Sequence, residues 1–340
     1  YGVNPVLIKD GWIEIDTIED LKKAGGEITT LKITPEERRG LLKNILEEKG
    51  FARVIEAHNG ISAIVANNVI INSIKTNDKT VFDAIWISSL TESAAKGQPD
   101  IELMGLDSRL ATVNQILDVT NKPVIVDGDT GGDPNTFEYF VRKAESLGVS
   151  AVVIEDKVYP KRNSLDPDAK QILEDPKIFA NKIKRGKSVL LTDNFMIIAR
   201  LESLIAGKDV NDAIERARQY LEAGADGIVI HSKSKSPDEV IEFARKYKEL
   251  ISEIGIRKPL ICIPTTYNSI KESELRKEGF NMVIHANHLL RASLKSMQKV
   301  AKIILENERS LEVDDHISDV SEVFDVVGFS DVVNKDKNSL

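Results

Sequence analysis

Two aspartates, Asp127 and Asp129, stand one residue apart at the end of the apolar run in VIVDGDTGGDPN. On a strand, residues two apart share a face, so both carboxylates are expected to point the same way. Glu155 ends the next apolar run, AVVIED, and Asp100 lies in the loop before, so up to four acids are expected to gather. Neighbouring carboxylates repel and are costly to bury unless a cation or a proton neutralises them. A hard divalent ion meets that need, because Mg²⁺ takes oxygen ligands at about 2.0–2.1 Å, keeps several waters and commonly uses one or two carboxylates. Asp127 or Asp129 is expected to bind directly and the others through water; a solvated acidic loop is the plain alternative. One such ion leaves the set negative, so an anionic substrate needs nearby cations. Arg200, Lys157 and Lys161 are the candidates, with His231 as a donor. A guanidinium grips phosphate or carboxylate in a two-pronged fork. Arg200 has a structural alternative, an ion pair with Glu202 two residues on.

These groups need a frame. Eight short β-branched runs carry them: ARVIEA, FDAIWIS, PVIVDGD, AVVIED, FMIIARLE, GIVIHS, PLICIPT and MVIHAN. Near-continuous apolar strands indicate a sheet covered on both faces, hence parallel strands with helical crossovers. Amphipathic segments lie between them. TPEERRGLLKNILEEKG, ahead of the first run, predicts a helix capped by Thr34, with Pro35 in its first turn, Glu37 completing a capping box and Gly50 as its stop. A final helix is expected over residues 288–309, opening a C-terminal helical region that runs to 340. Eight βα units predict an α/β fold of the (β/α)8 TIM-barrel type, whose usual length is about 250 residues. An open doubly wound sheet is the alternative, but the GxGxxG expected after its first strand is missing. In such a barrel the C-terminal strand ends make the site. Those ends read Glu56, His58 and Asn59; Trp86, Ser88 and Ser89; Asp127 and Asp129; Glu155 and Asp156; Arg200 and Glu202; His231 and Ser232; Thr265; His285 and Asn287.

Residues 156–175 are too long for a routine βα loop of about 2–6 residues and read either as a variable surface loop or as a lid. Residues 1–31 stand apart from the repeat, leaving 32–340 to the barrel. The chain is 41% hydrophobic and 29% charged, as expected of a soluble globular protein. Its net charge of −8 gives no electrostatic case for nucleic acid or an anionic membrane, though local cations still allow a small anionic ligand. No run approaches the ~18 apolar residues of a membrane span, and no secretion signal opens the chain. The single cysteine, Cys262, cannot form an internal disulfide and fits a reducing, cytoplasmic compartment. The chain opens on Tyr1 rather than Met, which reads as a cut from a longer polypeptide.

The stretch EDKVYPKRNS resembles the EDK…K-x-N-S signature of the phosphoenolpyruvate mutase family, in the isocitrate lyase superfamily. EAHNGISA, FDAIWISSLTES, DGDTGG, ARLESLIAG, AGADGIVIHSKSK and ANHLLRAS are similar to the same family in the same order, so the resemblance covers about residues 35–325. It implies a barrel whose last helix is swapped between partner subunits, a homotetramer, Mg²⁺, and interconversion of phosphoenolpyruvate with phosphonopyruvate, which makes a carbon–phosphorus bond. By resemblance Asp127 ligates Mg²⁺, with Asp100, Asp129 and Glu155 reaching it through waters. Groups around Trp86, Ser88, Ser89 and Leu90 hold the pyruvyl carboxylate, Arg200 and His231 hold the phosphoryl group, and Lys161, Asn163 and Ser164 ride on the lid.

The sequence departs from the family in places. Ser89 stands where glycine is usual and is expected to perturb the carboxylate pocket. Gly132 and Asp133 replace an aromatic and a glycine, and Asp133 is expected to add negative charge near the metal. Phosphonopyruvate hydrolase, on the same scaffold, typically carries threonine where Asn163 stands. Lyases of the superfamily carry a lid cysteine in a KKCGH-like motif, whereas Cys262 lies elsewhere. A non-catalytic module of a larger polypeptide is the rival from another class. GWIEIDTIEDLKKA, within residues 1–31, looks like the closing segment of nucleotidylyltransferases, as in a fusion behind a cytidylyltransferase domain.

Overall fold

Eight strands pair in parallel and in sequence order until the last meets the first. The computed structural model describes residues 33–72 and 79–338, so the expectation for residues 1–31 lies outside the described residues. The strands are β1 (Ala52–Glu56), β4 (Ala84–Ile87), β5 (Val124–Asp127), β6 (Ala151–Glu155), β7 (Met196–Leu201), β8 (Gly227–Ile230), β9 (Leu260–Cys262) and β10 (Met282–His285). They close as β1-β10-β9-β8-β7-β6-β5-β4, the expected (β/α)8 barrel. All eight predicted runs contain their strand. A short antiparallel hairpin, β2 (Ile70–Asn72) with β3 (Lys79–Val81), stands outside the barrel and was not expected. Nor were the helices Gly60–Asn68 and Ser89–Ala95, too short to show a period.

The helix Pro35–Lys49 forms for the reasons its sequence advertises. Thr34 accepts from Glu37 N, the Glu37 carboxylate accepts from Thr34 N, and Gly50 ends the helix with φ 65°. Its Leu42, with Ile45 and Leu46, packs against the inward side chains and plugs one end of the barrel.

Each strand is buried on both faces, yet alternation sorts its residues. In β7, Ile197, Ala199 and Leu201 join the layer beneath the helices, whereas Met196 and Ile198 fill the barrel. Arg200 is the next residue on that inner row. The inner rows of β1, β4, β5 and β6 end likewise in Glu56, Trp86, Asp127 and Glu155, and that of β8 continues to His231. A hydrophobic column thus carries a polar group as its last rung at the mouth.

Candidate active site

Register decides which of these rungs touch. Glu155 pairs with Arg200 across β6 and β7, and Arg200 Nη2 lies 3.1 Å from Glu155 Oε2. Arg200 Nε also donates to Glu202 Oε1 at 2.5 Å, so the structural pairing weighed from sequence is present. The fork still faces the mouth, with Nη1 3.8 Å from Asp127 Oδ2. His231 Nδ1 lies 2.8 Å from Glu202 Oε1 and 3.0 Å from Arg200 Nη2. A neutral ring serves these one at a time. Either Nδ1–H donates to Glu202, or bare Nδ1 accepts from Arg200 and leaves Nε2–H as a donor. Burial lowers the His231 pKa and the Arg200 charge lowers it further, against Glu202.

Asp129 corrects the alternation argument. The strand stops at Asp127, and Asp129 follows in the left-handed region at φ 54°. Its carboxylate is gripped by Arg109 Nη2, a residue the sequence reading passed over, and lies 2.7 Å from Lys161 Nζ. Arg109 Nη1 also donates to Asp127 O. Burial alone would raise the Asp129 carboxyl, but Arg109 and Lys161 outweigh it and hold it well below the usual carboxylate range. Asp127 Oδ1 accepts from Asp129 N, and its Oδ2 accepts from Ser89 Oγ at 3.0 Å.

Residues 156–175 fold over this floor. Their base is tied by Val158 N to Ile172 O and Glu174 N to Asp156 O. Three residues turn inward. Lys161 Nζ donates to Ser89 Oγ at 2.8 Å and lies 3.2 Å from Asp100 Oδ1. Asn163 Nδ2 donates to Asp100 Oδ2 at 2.7 Å. Ser164 Oγ donates to Glu202 Oε2 at 2.6 Å and accepts from Lys157 and Arg200. Burial would lower the Lys161 ammonium, yet Asp129, Glu155, Asp127 and Asp100 together hold it well above its ordinary value.

A cavity of about 50 Å³ remains between lid and floor. Trp86, Ser88, Ser89, Leu90, Asp100, Asp127, Lys161, Asn163, Ser164, Arg200 and His231 all line it, joined by Thr265 and Asn287. Asp129 and Glu155 sit just behind, through Lys161 and Arg200. Other strand ends serve the fold instead. Glu56 accepts from Leu289 N and Leu290 N at the start of the last helix and pairs with His58, and Asn59 caps Gly60–Asn68. His285 pairs with Glu272. Ser89, in the cavity wall, also donates to the Asp127 carboxylate, and Asp133 points its charge at Asn135 N and Thr136 N, capping the helix Pro134–Ser146.

The floor suits a hard cation without caging one. Among the described residues no set of three or more acidic, histidine or cysteine groups is arranged as a metal centre. Buried oxygens of Asp100, Asp129 and Glu155 make no aligned hydrogen bond and are balanced only by ion-pair contacts, with Lys161 Nζ 3.2 Å from Asp100 and 2.7 Å from Asp129, and with Lys157 Nζ and Arg200 Nη2 3.3 and 3.1 Å from Glu155. An all-oxygen donor set with one or two direct carboxylates is the Mg²⁺ habit.

The family model described as phosphoenolpyruvate phosphomutase matches residues 42–305. The chain belongs to the phosphoenolpyruvate phosphomutase family. It is 37% identical to the phosphoenolpyruvate phosphomutase of Tetrahymena pyriformis over 88% of this chain and 94% of that one. The crystal structure of phosphoenolpyruvate phosphomutase from Streptomyces platensis subsp. rosaceus superposes with a TM-score of 0.78 at 34% identity, covering 88% of this chain and 98% of that one. Phosphonopyruvate hydrolase in complex with oxalate and Mg²⁺ follows at TM-score 0.75 and 29% identity, over 87% and 97% of the two chains.

Proposed function

We propose that this chain interconverts phosphoenolpyruvate and phosphonopyruvate, in phosphonate biosynthesis. Family membership supports the reaction class. The observation that carries the reading is the inward lid, which brings Lys161, Asn163 and Ser164 onto a floor holding Asp100, Asp127, Arg200 and His231.

The chemistry is an isomerisation. The bond from phosphorus to the enol oxygen breaks and leaves that electron pair on an enolate. Carbon 3 of the enolate then attacks phosphorus, so no proton is gained or lost. Phosphoryl transfer passes through a loose, metaphosphate-like state whose charge sits on the outer oxygens. Arg200 and the Nε2–H of His231 would hold those oxygens, and groups around Trp86, Ser88, Ser89 and Leu90 the carboxylate. Trp86 Nε1 is buried there without a partner. Asp127 would hold Mg²⁺ directly, with Asp100, Asp129 and Glu155 around it. When bound, the ion supplies positive charge for the enolate oxygen. Lys161 must yield part of its present grip on Asp100 and Asp129 to admit substrate and ion, since the enclosed space is small. The lid residues exclude water, which would otherwise divert the phosphoryl group to free phosphate.

The hydrolase reading keeps a place because one solved relative is a phosphonopyruvate hydrolase, and Asn163 in the lid favours the mutase. Incubation with phosphonopyruvate and Mg²⁺, followed by phosphorus NMR, separates the readings. Conversion to phosphoenolpyruvate is expected. Free phosphate would make the chain a hydrolase, and no turnover with ligand binding would make it a non-catalytic module. Chelation with EDTA is expected to abolish turnover, and Mg²⁺ to restore it.

The assembly belongs to the same proposal. In the helix His288–Asn307 no residue is fully buried, Leu289 packs partly against the core, and Leu294, Met297 and Leu305 are exposed. Ile61, Val65, Val69 and Ile71 are exposed on the first barrel helix and the hairpin. A second copy would cover both patches by exchanging the last helix, and a homotetramer is the assembly inferred. No described helix is long and apolar enough to cross a membrane. A reducing, cytoplasmic setting is inferred from the buried thiol of Cys262, and a fused nucleotidylyltransferase from residues 1–31.

A further inference from the structure

Glu102 was passed over in sequence, where it reads as one more acid in the loop Gln98–Gly105. Its backbone is left-handed at φ 62°, uncommon for a residue with a side chain. Strain of that kind persists only where the surroundings fix it. Here they do. Glu102 Oε1 accepts from Thr130 Oγ1 at 2.7 Å and from Thr130 N at 3.1 Å. Its Oε2 accepts from Lys161 N at 3.0 Å. One carboxylate therefore joins its own loop, the turn that carries Asp127 and Asp129, and the lid.

The bond to the lid is made to backbone. It fixes the main chain at residue 161 whatever the Lys161 ammonium is doing, including when that ammonium gives way to substrate. Two residues earlier in the same loop, Asp100 accepts from the Asn163 side chain. The loop thus grips the lid at two places, one of them independent of the groups that must rearrange. Hydrogen bonds to a charged acceptor contribute more than neutral ones, so one such bond can shift the balance between open and closed lid by about tenfold or more.

We propose that Glu102 is a positioning residue that latches the lid shut over the reacting phosphoryl group. It touches no reacting atom and acts through Lys161 and Thr130. The inference rests on the mutase reading for its consequence, retention of phosphorus, but not for the latch itself. Glu102→Gln keeps size and removes one acceptor. The single amide oxygen can serve Lys161 or Thr130, and its NH₂ then faces the other donor.

Arg162 and Lys170 are exposed within the lid and give trypsin its cleavage points. With oxalate and Mg²⁺ present, Glu102→Gln and Glu102→Ala are expected to be cut there about tenfold faster or more than the wild type at a temperature well below the melting point of each variant, so that lid opening is separated from global unfolding. In the phosphorus NMR assay their free-phosphate share should rise and kcat fall, with a smaller change in KM. A merely structural role would not move that partition. Equal lid cleavage in wild type and variants would overturn the latch. Lack of turnover by the wild type would overturn the mutase reading while leaving the proteolysis decisive for the latch. Should neither Glu102 variant fold, Thr130→Val takes over the test, since it removes one donor to the same carboxylate. Faster lid cleavage supports the latch, and an unchanged rate overturns it.

Discussion

Asn163 touches the floor through one hydrogen bond to Asp100 and holds Leu165 N with its other amide atom. Asn163→Ala should therefore leave the fold intact and misplace the lid tip. A displacement of about 1 Å costs on the order of a hundredfold in rate, and kinetics with a matched thermal melt would check it. Normal turnover would remove the lid from the mechanism. His231 makes a separate prediction. Its pKa is depressed by burial first and by Arg200 second. A depressed folded value means its stability contribution is present above the unfolded pKa of about 6.5 and is lost as pH falls through the folded value. Imidazole NMR should show a midpoint below 6.5, and His231→Gln should flatten the acid side of the stability profile. At this scale the sequence told much. Eleven of the thirteen candidate site residues line one cavity and the other two stand directly behind. Arg109 and Glu102 escaped because each acquires meaning only from a partner more than fifteen residues away. No local pattern marks such a pairing, whereas a polar residue ending an apolar run announces itself.

Among the elements, the strands were legible because a buried parallel strand is a near-continuous apolar run, and the long helices because they carry caps and a period. The hairpin carries neither, and the two short helices show no period, although Asn59 caps the first of them. Packing between helices is where a small change should be felt most. Gly186, in the helix Pro176–Ser188, faces the helix Pro134–Ser146. A Cβ there would meet Phe137 Cε1 at 2.5 Å and Ile197 Cδ1 at 2.9 Å. Both neighbours are fully buried, so neither can swing aside cheaply. Gly186→Ala is expected to cost about 1–3 kcal/mol by overpacking, read as a lower urea midpoint with unchanged slope. The lid is the opposite kind of element. It is held by polar bonds and a short antiparallel tie, anchoring that fits the proposed opening and closing.

For the whole molecule, the exposed apolar residues of the C-terminal helices predict association. Light scattering should give the mass of a tetramer, and Leu294→Glu with Met297→Glu should break it down. A monomeric wild type would end that reading. The arrangement of the barrel mouth has a further consequence. Asp127, Glu155, Arg200 and His231 each crown a separate stave, and the greasy residues beneath them are not shared with the group above. Replacing one crown leaves the apolar column below it in place but strips a partner from the charges beside it, since Arg200 alone meets Asp127, Glu155, Glu202 and His231. Tinkering at this mouth should therefore come in matched pairs, a lost charge answered by the loss of its opposite, while the greasy staves beneath stay as they are.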